Sequence, residues 1–319
     1  MGVKVRIGVA LGPWADAARF SASVDRLEEM GIDSLWISEL VFGSLVEPFI
    51  GMAHALARTS RLKVGTGVAI LPGRHPVLVA KQLASLAALS PGRVLPAFGL
   101  QPARAEERAL FPVPPGRRAA VFDESLELLR LLLRQESVSF TGQYFTVEGA
   151  SVGPPPAKPL DIWTGGSAPG ALRRTGRLAD GWLGSFLTAE EAGAARETIQ
   201  AAAADAGREI EEDHFGISLA VVTGAGGASG AGGASGGAGA SGGDAPAALV
   251  KSVRARRPDV DPTLLFANGW ADAREKIERY VAVGLSKFVI RPAAGEVASE
   301  AGLDEFLERF AAEMMPLQN

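Results

Sequence analysis

The sequence predicts a (β/α)8 TIM barrel, and three observations predict it. Eight short, near-continuously apolar runs recur along the 319 residues. Most are followed by a helical pattern, the alternation that builds parallel βαβ units. The alternation continues to an eighth run near the C-terminus, which disfavours the alternative, an open doubly wound sheet.

Strands are expected at about 3–10, 33–38, 62–69, 93–98, 160–164, 181–185, 214–222 and 286–291. Runs such as SLWIS, LKVGTGVAI, LDIWT and KFVIRP are rich in β-branched and aromatic residues and are bounded by turn signals, as strands buried on both faces are. Helices fall between them. Phe20, Val24, Leu27 and Met30 recur at helical spacing and Gly31 stops them. EPFIGMAHALART and HPVLVAKQLASLAALS read likewise, the second with Pro76 in its first turn, where a missing N–H is harmless. VFDESLELLRLLL puts Val121, Phe122, Leu126, Leu129 and Leu133 on one face, and two amphipathic segments close the chain.

Two insertions break the pattern. Residues 137–159 read as a hairpin turning at Thr141-Gly142, with a proline-rich lead into strand five. Residues 224–243 are all Gly, Ala or Ser. Such a segment cannot offset its own ordering entropy, so a disordered loop after strand seven is expected, spanning ~25 Å on average. The whole chain, 1–319, is expected to be a single barrel domain around that insertion.

Composition limits the function. Net charge is −4, from 32 basic and 36 acidic residues, so no basic excess tracks a nucleic-acid backbone. Cysteine is absent, which removes disulfides, thiolate metal sites and cysteine nucleophiles. The three histidines, His54, His75 and His214, are far apart, so no metal centre is expected. The N-terminal apolar run is short and interrupted by Lys4 and Arg6, unlike a secretory signal. No run approaches the ~18 apolar residues of a membrane span. A cytoplasmic location without membrane contact is expected.

Candidate chemistry gathers where strands end. Gly165, Gly166 and Ser167 follow strand five, and Pro169-Gly170 opens the next helix. Unpaired first-turn N–H groups there attract anions, and glycines let a phosphate approach the backbone. Arg173, Arg174 and Arg177 follow on the helix, and Gly184-Ser185 ends strand six. The same glycines also suit a plain corner, and spacing leaves both open. Gly65, Thr66 and Gly67 end strand three, flat enough for a ring to lie against, with Arg74 and His75 beyond. Glu39 ends strand two and suits an acid, a base or an arginine's partner. Arg291 ends strand eight, where it receives an anion or pairs with Glu39.

Together DRLEEMGIDSLWISE, LKVGTGVAILPGRHPVLVAKQLASLAALSPGRV, SFTGQYFTVEG, PLDIWTGGSAPGALRRTGRLADGW and YVAVGLSKFVIRP resemble the luciferase-like monooxygenase superfamily, and within it the branch that uses the deazaflavin coenzyme F420. The resemblance covers most of the chain. It implies a cofactor at the C-terminal face, its phosphate held by Gly165, Gly166, Ser167 and Ser185; Arg291, by its place on the same rim, is a further candidate for binding the cofactor. The resemblance puts Gly67 and Val68 behind the ring, joined by a cis peptide bond. Two departures stand out. Leu40 occupies the position where F420-using relatives often carry a proton-transferring histidine, and VLPAFGLQP replaces a glycine-rich loop after strand four. Glu39 is then the candidate catalytic acid or base. The expected function is an F420-dependent oxidoreductase moving hydride to or from a small organic substrate. A reduced-FMN-dependent monooxygenase and a non-catalytic flavin-binding or scaffolding protein are the alternatives. The resemblance also implies a homodimer, through the apolar helices after strands two and three.

Overall fold

The structure, a computed structural model, describes residues 4–12, 16–223, 247–293, 297 and 299–319. The Gly/Ala/Ser insertion at 224–243 lies outside the described residues.

The chain begins with β1 (Arg6–Val9), α1 (Phe20–Glu29), β2 (Ser34–Ile37) and α2 (Pro48–Arg58). The third barrel strand comes in two parts, β3 (Lys63–Thr66) and β4 (Ala69–Ile70), followed by α3 (Pro76–Leu89). The fourth is also split, into β5 (Val94–Leu95) and β6 (Ala97–Gly99), and leads to α4 (Arg118–Arg134). An antiparallel hairpin of β7 (Val138–Thr141) and β8 (Thr146–Ala150) follows, as the sequence anticipates. Next come β9 (Trp163–Gly165), α5 (Pro169–Leu178), β10 (Gly181–Ser185), α6 (Ala189–Asp205) and β11 (Phe215–Val222). The chain ends with α7 (Ala247–Arg256), β12 (Ala267–Asn268), α8 (Trp270–Ala282), β13 (Lys287–Pro292) and α9 (Glu300–Met314).

The parallel pairs run β1–β2–β3–β5 on one side and β1–β13–β11–β10–β9–β6–β4 on the other. Because β3 and β4 belong to one strand, and β5 and β6 to another, the two paths meet and the barrel closes. Each split has a local cause. Pro96 has no N–H to give the ladder; its carbonyl instead accepts from Trp163 N at 2.9 Å. The third strand breaks at Gly67-Val68, whose peptide bond is cis, as the resemblance implies.

The strand period of two sorts the side chains. Ile7, Val9, Leu35, Ile37, Phe288 and Ile290 point outward into the large core beneath the helices. Ala10, Trp36, Leu95, Ala97, Trp163, Leu183 and Val289 point inward and fill the lumen. The rings of Trp36 and Trp163 meet edge-on, 6.5 Å apart. Below them Lys287, fully within the barrel's base, donates to Asp33 at 2.7 Å and to Ser34 at 3.0 Å. Burial works to raise the Asp33 carboxyl, but Lys287 and Lys63 outweigh it and hold it at about 2. The base is therefore plugged by paired charge and the middle by aromatic rings, which leaves the C-terminal end for ligands. No described helix is long and apolar enough to cross a membrane.

Candidate active site

The C-terminal end of the lumen is built by residues that follow the inward series of each strand. On the second strand Ser38 continues from Ser34 and Trp36, and its Oγ donates to Gly67 O at 3.1 Å. Gly67 N in turn donates to Ile37 O at 2.8 Å. These two bonds clamp the cis peptide from both sides. Val68 is thereby thrown across the lumen towards strands four and five. A Cβ on Gly99 would lie 2.6 Å from Val68 Cγ2, and one on Gly165 would lie 3.5 Å from its Cγ1. Glycine at 99 makes the space that Val68 fills, and glycine at 165 leaves the ground beside it open.

Glu39 stands just behind this platform and is buried, its side chain 3% exposed. One carboxylate oxygen accepts from Ile70 N at 2.6 Å and Arg74 Nη1 at 2.9 Å, the other from Arg74 Nη2 at 2.5 Å. Arg74 also donates to Ile70 O at 2.6 Å and lies between the Phe49 and Phe111 rings. Of the roles open to Glu39 in the sequence, the geometry gives it that of an arginine's partner, and the arginine is Arg74 rather than Arg291. His75, its neighbour, caps α3 by accepting from Val77 N at 3.3 Å.

The glycine loop follows β9. Gly166 has φ +105°, which excludes ordinary side chains, and its carbonyl accepts from Trp182 Nε1 at 2.9 Å. Residues 166–170 are exposed. Ala168, the residue capping α5, offers no side-chain acceptor, and no described protein group accepts from Ser167, Ala168 or Gly170 N–H. These are free donors at the positive end of a helix. The helix is fixed in direction by the buried contact of Thr164 Oγ1 with Thr175 Oγ1, 2.8 Å. Ser185 ends the neighbouring β10, exposed and inward in phase with Leu183.

The three arginines that follow this loop in sequence leave only a thin basic rim beside it. Arg174 and Arg177 turn away to Asp123 on α4, and Arg174 is buried over the Phe122 ring. Arg173 alone of the three stays exposed without a partner among the described residues. Arg291 ends the inward series Lys287, Val289, Arg291 on β13, across from Ala220 of β11. It has no hydrogen-bond or ion-pair partner among the described residues.

The structure thus brings Gly67, Val68, Gly165, Gly166, Ser167, Ser185 and Arg291 to one end of the barrel, with Glu39 immediately behind. Sequence reasoning missed three contributors. Ser38 lies next to Glu39 and had no role assigned to it from the sequence. Glu107 follows strand four; it is fully buried, accepts from Phe42 N at 2.9 Å, and leaves Oε2 without a partner. α7 was not anticipated, and it carries Arg256. Elsewhere, a cavity of about 290 Å³ opens at the opposite, N-terminal end beside Arg6, Glu28, Asp33, Arg61 and Lys63. Its acids are consumed by Lys63, Lys287 and the backbone of residues 60–62, so it reads as scaffold. Glu211, Asp213 and His214 also cluster at that end, with ligand-type atoms within 4.8 Å of one another.

Comparison with known proteins agrees with this architecture. Residues 3–228 match the family model described as luciferase-like monooxygenase. The chain is 32% identical over 164 residues to an F420-dependent glucose-6-phosphate dehydrogenase of Kineococcus radiotolerans, a stretch covering 49% of each protein. It is 28% identical over 311 residues to the protein of the same name from Beutenbergia cavernae, covering 91% of this chain and 90% of that one. The matched stretch therefore spans about half the length of some curated relatives and most of another. Among solved structures, an F420-dependent secondary alcohol dehydrogenase in complex with an F420-acetone adduct superposes with a TM-score of 0.75 at 18% identity, covering 99% of this chain and 100% of that one. The oxygenating constituent of 3,6-diketocamphane monooxygenase from Pseudomonas putida, in complex with FMN, superposes with a TM-score of 0.72 at 17% identity, covering 98% of each chain.

Proposed function

The chain belongs to the luciferase-like monooxygenase family, and from that premise we propose that it is an F420-dependent oxidoreductase that moves hydride between the deazaflavin and a small organic substrate. One observation carries the reading: the clamped Gly67-Val68 platform and the open donors of α5 stand at the same end of one lumen. A flat ring with a phosphate on a side arm needs both. Gly165, Gly166, Ser167 and Ser185 would hold the phosphate, and Gly67 and Val68 would back the ring. When bound, the cofactor supplies the hydride chemistry, and the protein supplies position. Ser38 and the Glu39–Arg74 pair hold the platform rigid. Glu39 acts in this account by positioning β4 rather than by taking a proton. The Trp36–Trp163 pair, which closes the lumen beneath the platform, would exclude water from that side of the site.

F420 is preferred because relatives named for F420 match at both partial and nearly full length. A reduced-FMN monooxygenase is the second reading. It is favoured by the loss of Arg174 and Arg177 to Asp123, which leaves little basic surface beside the cradle for an acidic cofactor tail. A non-catalytic flavin-binding protein is the third, and Leu40 is its support. We further propose a cytoplasmic homodimer, joined through α2 and α3, whose Ile50 and Leu78 are exposed.

The cradle is tested at Gly165, because Gly166 has a backbone that valine cannot adopt and its loss would confound folding with binding. A Cβ at Gly165 stands 3.3 Å from Leu183 O and 3.5 Å from Val68 Cγ1, which asks the neighbours to give by only a few tenths of an ångström, so Gly165→Ala should fold and crowd the site. Binding of F420 and of FMN should fall at least about tenfold, with an unchanged circular dichroism spectrum. Binding equal to the parent's would remove the glycine loop from the site.

A further inference from the structure

Arg291 differs from most of the buried and half-buried arginines, although Arg196, laid over the Phe215 ring, also leaves its Nε without a partner. Arg74, Arg93, Arg130, Arg174, Arg208 and Arg257 each donate to a carboxylate or to main-chain carbonyls. Arg291 donates to nothing among the described residues, although it points into the lumen. Burial, and then the charge of Arg256, hold its guanidinium below the usual arginine value. Arg256 comes from α7, which caps this side of the barrel through Leu249 and Val253 against Ala220 and Val222. Its guanidinium lies over the Phe186 ring at 5.1 Å and, among the described residues, donates only to Ser252 and meets no carboxylate. Nearby Arg257, by contrast, is saturated by Glu191, Asp259 and Phe186 O. A desolvated arginine beside a second one, neither matched by an acid among the described residues, forms an arrangement that an incoming anion would relieve.

We propose that Arg291 and Arg256 form an anion-recognising subsite on the substrate side of the lumen, so that the substrate carries a carboxylate or phosphate group. The inference rests on the proposed cofactor site for the word substrate. The cradle ends strands five and six, and the ring platform joins strands three to five. Arg291 stands on strand eight, with β11 between it and β10, two strand spacings or about 10 Å away. A cofactor seated on the cradle and platform leaves this arc of the lumen to its co-substrate. Arginine's planar fork suits the two oxygens of a carboxylate or phosphate, which a lysine would meet as a point charge.

Inorganic phosphate is the probe. Thermal unfolding is followed against phosphate, with chloride at matched ionic strength as control, both without cofactor and at saturating cofactor. The parent, Arg291→Gln, Arg291→Lys and Arg256→Gln are compared, and each is titrated with F420 and FMN. Phosphate should stabilise the parent in both states. Arg291→Gln should weaken that response at least about tenfold, Arg291→Lys and Arg256→Gln less, with cofactor affinity unchanged within about twofold. Without phosphate, Arg291→Gln should melt no lower than the parent, because it removes an unmatched charge; a structural arginine would behave oppositely. A phosphate response equal in parent and Arg291→Gln, or a lower melting temperature of Arg291→Gln alone, overturns the proposal. So does a parallel tenfold loss of cofactor affinity, which would give the anion to the cofactor. If the parent binds neither cofactor, the proposed function fails, while an Arg291-dependent phosphate response without cofactor still supports an anion site.

Discussion

At the scale of single residues, the site is held by charges that face each other across the sequence. Glu39 and Arg74 are 35 positions apart and share a forked ion pair with the Ile70 peptide. Removing the acid strands the half-buried arginine and one backbone donor. Glu39→Ala should therefore lower unfolding free energy by about 3 kcal/mol in urea titration. A loss under about 0.5 kcal/mol, with turnover abolished, would return Glu39 to the catalytic role its position suggests in sequence. The glycines and Ser185 were legible because small residues at strand ends carry their own signal. The partner of Glu39 was not, because nothing local distinguishes Arg74 from Arg291 as its counter-charge. The outcome depends on the turn after β4, which brings Arg74 back over Ile70.

At the scale of elements, the eight strands and the hairpin stood in the sequence because their apolar runs and turn residues are local. α7 did not. Its buried positions Leu249 and Val253 sit among Lys251, Arg254 and Arg256, and they find an apolar partner only once the barrel presents Ala220 and Val222. The direction of Arg174 was hidden for the same reason, since Asp123 lies 51 residues earlier on another helix. Where capping is local it is easily read and easily tested. Thr188 accepts from Glu191 N while Glu191 accepts from Thr188 N, a reciprocal cap that starts α6. Thr188→Ala should cost about 1 kcal/mol, measured by chemical denaturation, without changing cofactor affinity. A change in affinity would mean that the β10–α6 loop is coupled to Ser185.

At the scale of the whole molecule, the barrel divides its ends between stability and chemistry. The base carries Asp33 and Glu28, both held at about 2, against ordinary values of 3.8 and 4.5. Asp33 is held there by Lys287 and Lys63, and Glu28 by the N–H groups of residues 60–62, each against the opposing effect of burial. A depressed carboxyl stabilises the fold fully above its unfolded value and loses that contribution as pH falls through the folded one. Stability should therefore decline between about pH 4.5 and pH 2, by about 2 kcal/mol from Asp33 alone. Asp33→Asn should flatten this stretch of the stability–pH curve, and an unchanged curve would place acid sensitivity elsewhere. Light scattering should give twice the chain mass of 33.1 kDa if α2 and α3 join two copies. The central claim is that this end of the barrel holds a deazaflavin, and direct titration of the purified protein with F420 and, separately, FMN tests it most plainly. The account predicts micromolar binding of F420 and at least about tenfold weaker binding of FMN. Tight FMN binding with weak F420 binding would contradict it.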